Sequence, residues 1–496
     1  MTTLFFSPHA EDPRFFNYGS SKEILINFFR FIEKEKENIS EIYLCLYLYN
    51  NEILHNKMKE LALSGISVKV ISLPLEGYDT RYPKDIWDPR TNEVVHFNAT
   101  KYSLAQRVYN DIIGFNNSNY KLYVFGHTYV RSSRMKNFAR GTLPYSLHTK
   151  SLFIKLRDGR TITGLTSSNL AVRDVSKDEL MILMEDTPET RKNSELFFQT
   201  LLDHSTLITE WKNPNPNFCY HMHCVDAGAP ECNYFASPFF TDSPIRIAEK
   251  ITSIIQTAQS RIYICAEHLA AYNYRDMSGN IQPGLFSAIF EKCKKGIPIN
   301  CLSQTYVDAN GYSHGQRAPQ NTAMFSQLIK QIDQLPLCSY AVNKNVHAKF
   351  IIVDDTVIIS TANYTPTEFL YGPVKIDRFE SPELADVKYD GIFSEVSHFI
   401  ILEDCTIAEQ LIRFFHYTLN QVDTFIHNQP KSESPSSAAQ KMRSSNGSAN
   451  STERYYIHCP YAEKEEAKSL GARWDPARKQ WYYTSPDQAH LFRRWL

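Results

Sequence analysis

The chain repeats itself once, over a length far beyond any solenoid period. Residues 22–36 place Ile24, Leu25, Phe28, Phe29 and Ile32 at helical spacing. A strand over Ile42–Leu48 follows, then a helix over Glu52–Leu63 with Gly65 as its stop, then a strand over Ile66–Leu73. The second half keeps that order: helix Ile245–Ala258, strand Arg261–Ala266, helix Leu285–Lys294, Gly296, strand Ile297–Leu302. Each half then gives two apolar runs joined by a turn. They are Ser151–Leu156 and Thr161–Leu165 around Arg157-Asp158-Gly159-Arg160, and Phe350–Val353 and Val357–Ile359 around Asp354-Asp355-Thr356. Both halves end with Glu, an apolar strand, Asp and a helix. These are Glu179 through Asp186 into Ser194–Leu202, and Glu395 through Asp404 into Ile407–Leu419. Two copies of a unit of about 190 residues predict two similar α/β lobes, with mixed, largely parallel sheets covered by helices. The lobes are expected over 1–205 and 245–428, with a connector over 206–244.

The same repeat carries chemistry. His347 and Lys349 stand two residues apart at the start of one hairpin strand, so they share a face. Asn363 leaves the returning strand at the same level. An imidazole, an ammonium and a carboxamide then meet at one end of an apolar hairpin. Together they suit a phosphate: Lys brings charge, Asn brings donors, and His brings a nitrogen that attacks or protonates. The first half holds His148, Lys150 and Asn169 in the matching slots. Either triad alone is commonplace, and a duplicated structural hairpin would look similar. Two triads in equivalent slots of a repeat are what single this pattern out.

Composition restricts the setting. The 496 residues are 43% hydrophobic and 22% charged with a formal net charge of -1, so any nucleic-acid footprint must be local. The N-terminal stretch has no basic segment followed by a long apolar one, and no run approaches a membrane span. Ten cysteines are scattered, with Cys45, Cys265 and Cys301 in apolar strands. That fits reduced thiols in an intracellular, cytoplasmic protein. Cys219, His221, His223, Cys224 and Cys232 in the connector match no standard zinc spacing; they read as a Cys/His-bearing loop or, alternatively, a zinc site. No metal ligands and no cofactor are assigned. Residues 429–453 form a polar, Ser-rich linker. Residues 454–496 make a small module expected to use its three Trp as a core, with a helix over Ala462–Leu470, a hairpin through Asp475-Pro476 and a last helix. Its basic residues and aromatics suit nucleic acid, and equally a solvated face on a minimal fold.

Two H-x-K motifs, each followed by Ser/Thr-x-Asn, resemble the phospholipase D superfamily, whose pattern is H-x-K-x4-D and then G-S-x-N. The second copy matches at His347, Lys349, Asp354 and Ser360-Thr361-Ala362-Asn363, with Ser for Gly and Thr for Ser. The first copy has Lys155 in the Asp slot, a departure that also looks like the tyrosyl-DNA phosphodiesterase branch. The resemblance covers roughly residues 20–420 and implies two lobes about a pseudo-two-fold axis that pool their motifs in one cleft. It implies a covalent phosphohistidine, with His148 as nucleophile and His347 as general acid and base. Lys150, Lys349, Asn169 and Asn363 would surround the phosphoryl group without a metal, and Glu179 and Glu395 would orient the histidines. Ser167 and Thr361, inside the Ser/Thr-x-Asn motifs, are taken as substrate contacts. The tail, with its Gly471–Pro476 GARWDP core, is similar to a small domain of unknown function found on primases, helicases and other DNA-handling proteins.

Three substrates or roles follow. A nucleic-acid phosphodiesterase, a nuclease or DNA-end-processing enzyme acting on DNA or RNA, is favoured by the run before the first motif. There Arg131, Arg134, Lys136 and Arg140 interleave with Tyr129 and Phe138. A solvated basic loop would read the same way. A phospholipase D or phosphatidyltransferase is the alternative; Tyr78, Tyr82, Trp87, Phe97 and Tyr102 in an insert over 76–125 could touch a membrane, although stable membrane association is not expected. An inactive phosphate- or nucleic-acid-binding protein on the same fold is the third reading. With both motifs in one chain, a monomer suffices. His314 and Arg317, in a polar stretch before the second motif, are loop residues with a chance of substrate contact.

Overall fold

A computed structural model describes residues 2–7, 22–73, 86–88, 93–95, 101–126, 129–131, 134–136, 145–171, 177–211, 234–237, 245–271, 273–275, 280–304, 306–307, 313–314, 322–365, 374–376, 389–391, 394–421, 424–428, 455–460, 463, 472–475 and 478–483. Two large mixed sheets dominate. The first runs, edge to edge, through Thr2–Ser7, Glu179–Glu185, Thr161–Thr166, Ser151–Leu156, Ile39–Cys45, Ser67–Ser72, Tyr120–Phe125 and Ser205–Leu207. The second runs through Tyr234–Ser237, Ser394–Glu403, Thr356–Ser360, Phe350–Val353, Ile262–Ala266, Ile299–Ser303, Cys338–Val342 and Phe425–Asn428. Position for position, the two orders correspond, and so does the polarity of every pairing.

Along the main path of each sheet, parallel pairing joins three strands: Ile39–Cys45 with Ser67–Ser72 and Tyr120–Phe125, and Ile262–Ala266 with Ile299–Ser303 and Cys338–Val342. These strands are joined by crossover helices, as parallel neighbours require. The other pairings along that path are antiparallel, the two motif hairpins among them because their strands return through tight turns. The sheets are thus mixed, with less parallel character than the alternating pattern suggested.

Local chemistry places the elements. Asn51 caps the Glu52–Leu63 helix by accepting from the backbone N–H groups of Ile53 and Leu54, and Gly65 follows at φ +90°, where a side chain would be strained. The Pro188–Asp203 helix begins six residues before the expected Ser194, because Thr187 caps it and Pro188 pre-sets its first turn. Asp404 caps the Cys405–Leu419 helix through Thr406 and Ile407. The expected insert over 76–125 contains the Lys101–Phe115 helix and the third parallel strand, Tyr120–Phe125. The Thr322–Ile332 helix and Cys338–Val342 are their counterparts in the second lobe.

The lobes are not separable bodies. Residues Met1–Lys431 form one compact unit, and Ser432–Leu496 form another. Hydrophobic clusters run through both lobes: Phe153, Phe197 and Leu201 share one with Ile251, Ile264 and Phe399. Leu165, Leu180 and Ile182 share another with Phe350, Phe414 and Phe415. Chain segments also cross over. Tyr145–Leu147 adds in parallel to Ser394–Glu403 of the second sheet, and Asp178 bridges in parallel to Val346. Tyr234–Ser237, from within the expected connector, is an edge strand of the second sheet.

The described part of the tail is a three-stranded sheet of Tyr455–Ile457, Gln480–Tyr483 and Arg473–Asp475. Trp481 is buried, but Trp474 is 47% exposed and leans on Trp481 with ring centroids 5.4 Å apart. The expected all-Trp core is therefore corrected: Trp474 is a surface residue. Trp495 and the two expected tail helices lie outside the described residues, apart from Glu463.

Candidate active site

Both H-x-K motifs open their strands at the end where the parallel strands of the same sheet finish. Phe350, after Lys349, pairs with Cys265, and Ser151, after Lys150, pairs with Cys45. The motif backbones are tied across the lobes. The His148 N–H donates to the Val396 carbonyl, and the N–H groups of His347 and Ala348 donate to the Asp178 carbonyl. Each histidine therefore sits beside the glutamate of the other lobe.

That exchange decides the pairing. Nδ1 of His347 lies 2.8 Å and 2.9 Å from the two oxygens of Glu179, a fully buried carboxylate. Nδ1 of His148 lies 3.1 Å from Oε2 of Glu395, at an angle outside hydrogen-bonding range. Such pairs set the ring orientation and leave Nε2 toward the site. Lys150 and Lys349 are both fully buried, and each ammonium donates to the carbonyl of the histidine two residues earlier, at 2.6 Å and 2.8 Å. Two buried cations so close are costly unless anions balance them, which makes this a place for a phosphate as well as for the three glutamates nearby.

The carboxamide of Asn363 is oriented by the His268 N–H, which donates to its Oδ1 at 3.2 Å; this keeps the Asn363 NH₂ as the group available to a ligand. Asn169 stands in the matching slot of the first lobe, just before Leu170, whose φ of 49° lies in the left-handed region. Ser167 and Thr361, expected as substrate contacts, are fully buried and hydrogen-bonded within the protein. The Ser167 hydroxyl donates to Oε2 of Glu179 at 2.5 Å, and Thr361 Oγ1 accepts from the His398 N–H at 3.0 Å. Asp354 is remote from the phosphate chemistry: it accepts from the N–H groups of Gln259, Ser260 and Arg261 and caps that loop.

One residue was missed. Glu267 follows the Ile262–Ala266 strand, and its Oε2 lies 3.2 Å from Nε2 of His347 and 4.0 Å from the Lys349 ammonium. The available signal was its position: a charged residue directly after an apolar strand, where α/β sheets gather their sites. Arg131, Arg134 and Lys136 fall on a hairpin of Tyr129–Arg131 and Arg134–Lys136, and His314 on a short strand pair with Tyr306–Val307. Arg140, Arg317, Cys219, His221, His223, Cys224 and Cys232 lie outside the described residues. Among the described residues, no three His, Cys, Asp or Glu side chains are grouped to hold a metal ion.

Electrostatics separate the two histidines. Burial pushes His148 well below the usual imidazole value, and the neighbouring Lys150 and Lys349 push it further. Burial also pulls on His347, but Glu179 and then Glu267 outweigh it and leave that imidazole above its usual value. The site thus biases the two rings in opposite senses, His148 toward the neutral form and His347 toward the protonated one.

Residues 454–496 match the model of a domain of unknown function, DUF5710. Over 47 residues the chain is 51% identical to the DNA primase TraC of Escherichia coli, a stretch that is 10% of this chain and 3% of the primase. Similar solved structures include Nuc from Salmonella typhimurium, described as a phospholipase D family member, at a TM-score of 0.23 and 17% identity, covering 40% of this chain and 97% of that one. Polyphosphate kinase from Porphyromonas gingivalis aligns with a TM-score of 0.44 and 12% identity, covering 89% of this chain and 54% of that one. Phosphatidylserine synthase from Haemophilus influenzae Rd KW20 aligns at 0.43 and 10%, covering 80% and 84%. Yeast tyrosyl-DNA phosphodiesterase aligns at 0.38 and 9%, covering 81% and 90%. The chain thus spans about half of the polyphosphate kinase and a small fraction of the primase.

Proposed function

We propose that this chain is a phosphodiesterase that works on nucleic acid through a phosphohistidine. The observation that supports this most is the exchanged pair of His–Glu contacts around two buried lysines. Neutral His148 attacks phosphorus through Nε2; the bond from phosphorus to the leaving oxygen breaks, and that oxygen takes the proton from Nε2 of His347. Neutral His347 then accepts a proton from water as the water oxygen bonds to phosphorus. The P–N bond breaks, His148 is released neutral, and a phosphate monoester departs. Lys150, Lys349, Asn169 and the Asn363 NH₂ offset charge building on the phosphoryl oxygens. Nucleic acid is preferred over lipid as substrate because of the likeness of the tail to a segment of a DNA primase and the basic run at Arg131–Arg140. Among the described residues no helix is long and apolar enough to cross a membrane.

The test is incubation in EDTA with labelled single-stranded DNA, duplex DNA, RNA and phosphatidylcholine vesicles, beside His148→Ala and His347→Ala. Nucleic-acid cleavage lost in both variants is expected. Cleavage of lipid alone would move the chain to the phospholipase reading, cleavage of nothing to the binding reading, and loss of cleavage in EDTA to a metal-dependent reaction.

A further inference from the structure

The repeat makes the two halves of the site nearly equivalent, so something must tell one histidine from the other. Glu267 is the departure from symmetry. Cys265 and Cys45 occupy matching register positions, each opposite the residue after the motif lysine, so the slot of Glu267 is held by Tyr47 in the first lobe. The glutamate is largely buried, with its side chain 13% exposed, and it lies on the reactive nitrogen of His347.

We propose that Glu267 is a positioning residue that assigns the roles of the two histidines, by holding a proton on Nε2 of His347 until substrate arrives. The inference refines the phosphodiesterase reading and rests on it for its catalytic consequence, although its core concerns one proton in the resting protein. Nδ1 of His347 faces Glu179 at 2.8 Å and Nε2 faces Glu267 at 3.2 Å. A neutral imidazole has one N–H, so it can satisfy only one of these carboxylates and would turn a lone pair on the other. Only the imidazolium presents an N–H at each nitrogen, in the hydrogen bond of Nδ1 to Glu179 and in the ion pair of Nε2 with Glu267. His148 has the Glu395 carboxylate at Nδ1, and the first-lobe slot that matches Glu267 holds Tyr47, an uncharged side chain.

The charged and titratable groups around His347 come from every side: Glu179 from the first sheet, Lys349 from its own segment, Glu267 and His268 from the end of the Ile262–Ala266 strand, and His148 from the other lobe. Of these, Glu267 is the one that contacts Nε2, the nitrogen that must deliver the proton. When the leaving oxygen takes its place there, the proton passes to that oxygen.

The experiment is an NMR titration of ¹⁵N-histidine-labelled full-length protein without substrate, with the His347 signal assigned by its loss in His347→Asn. Glu267→Gln keeps the shape and removes the charge. It is expected to lower the His347 midpoint by about one pH unit or more and that of His148, which Glu267 also raises, by clearly less. Glu267→Asp should restore part of the shift, and Glu267→Tyr, the first-lobe residue, should behave like Gln. A His347 midpoint that is the same in wild type and Glu267→Gln would overturn the proposal. So would an equal shift of both histidines, which would mark a general loosening of the site. Because no substrate is used, the result stands whatever the enzyme cleaves. With an active substrate in hand, Glu267→Gln should also move the alkaline limb of the activity profile down by the same amount.

Discussion

The ring of His347 lies between two carboxylates while that of His148 lies near two lysines, and this difference sets the pH behaviour. On the proposed mechanism attack needs neutral His148, so activity should rise as pH climbs through its depressed value. Protonation of the leaving group needs charged His347, so activity should fall as pH climbs through its raised value. A broad bell is expected, with both limbs displaced outward from the ordinary imidazole value; a flat rate from pH 5 to 9 would count against the pair. Asn363 gives a second residue-scale expectation. Its Oδ1 is held by the His268 N–H, so Asn363→Asp keeps that acceptor but replaces the ligand-facing NH₂ with an anion. The rate should fall by roughly 10²–10³-fold with little change in melting temperature. A large melting shift with an unchanged rate would show the group to be structural. Each of these residues was visible in the sequence as a motif member. Glu267 was not, since one acidic residue after a strand is ordinary until its neighbours are known.

Among the elements, the second motif hairpin gives its acidic residue a structural place. Asp354 has φ 55° and collects three backbone N–H groups from Gln259, Ser260 and Arg261. It closes the turn that precedes the Ile262–Ala266 strand, which carries Glu267 to the site. The first lobe has Lys155 in that slot, where it lies over the rings of Tyr43 and Phe153 and near Glu195. Asp354→Ala should cost about 1–2 kcal/mol in urea unfolding, the lower end reflecting its partial exposure to water. The rate of the folded enzyme should stay within a few-fold of wild type. Because hydrogen bonds hold the Asp354 carboxyl below its usual value, this contribution is present above the ordinary Asp range and is lost as pH falls through the folded-state value.

At the scale of the whole molecule, His398 links the lobes from the inside. It is fully buried, its Nδ1 lies 2.8 Å from the Thr149 hydroxyl, and its ring meets Phe197 with centroids 3.8 Å apart. Burial alone keeps His398 neutral far below the usual value, and His148 is depressed as well. An unfolded chain would bind protons on both near pH 6.5, whereas the fold would not. Stability is therefore present above that value and lost as pH falls below it; His347, shifted the other way, opposes part of the loss. The melting temperature should drop by roughly a few degrees between pH 7 and pH 5, with a shallower drop in His398→Asn. An identical pH slope in the variant would exclude His398 as a source. Expressing residues 1–205 and 245–431 separately should yield no activity from either piece, because each histidine is oriented by the other lobe.

The periodicity of apolar residues, the capping signals and the doubled H-x-K were enough to place two α/β lobes and to single out the groups proposed for the chemistry, because these are local patterns written within a few residues of one another. Which glutamate serves which histidine was decided only by the crossing of Tyr145–Leu147 and Asp178 between lobes. The burial of Ser167 and Thr361, the exposure of Trp474 and the approach of Glu267 to His347 were likewise tertiary outcomes. A sequence records which groups a chain owns. The identity of the acid and of the nucleophile depends on which charges lie within a few ångströms of each ring, and that distance exists only after the two lobes have closed on one another.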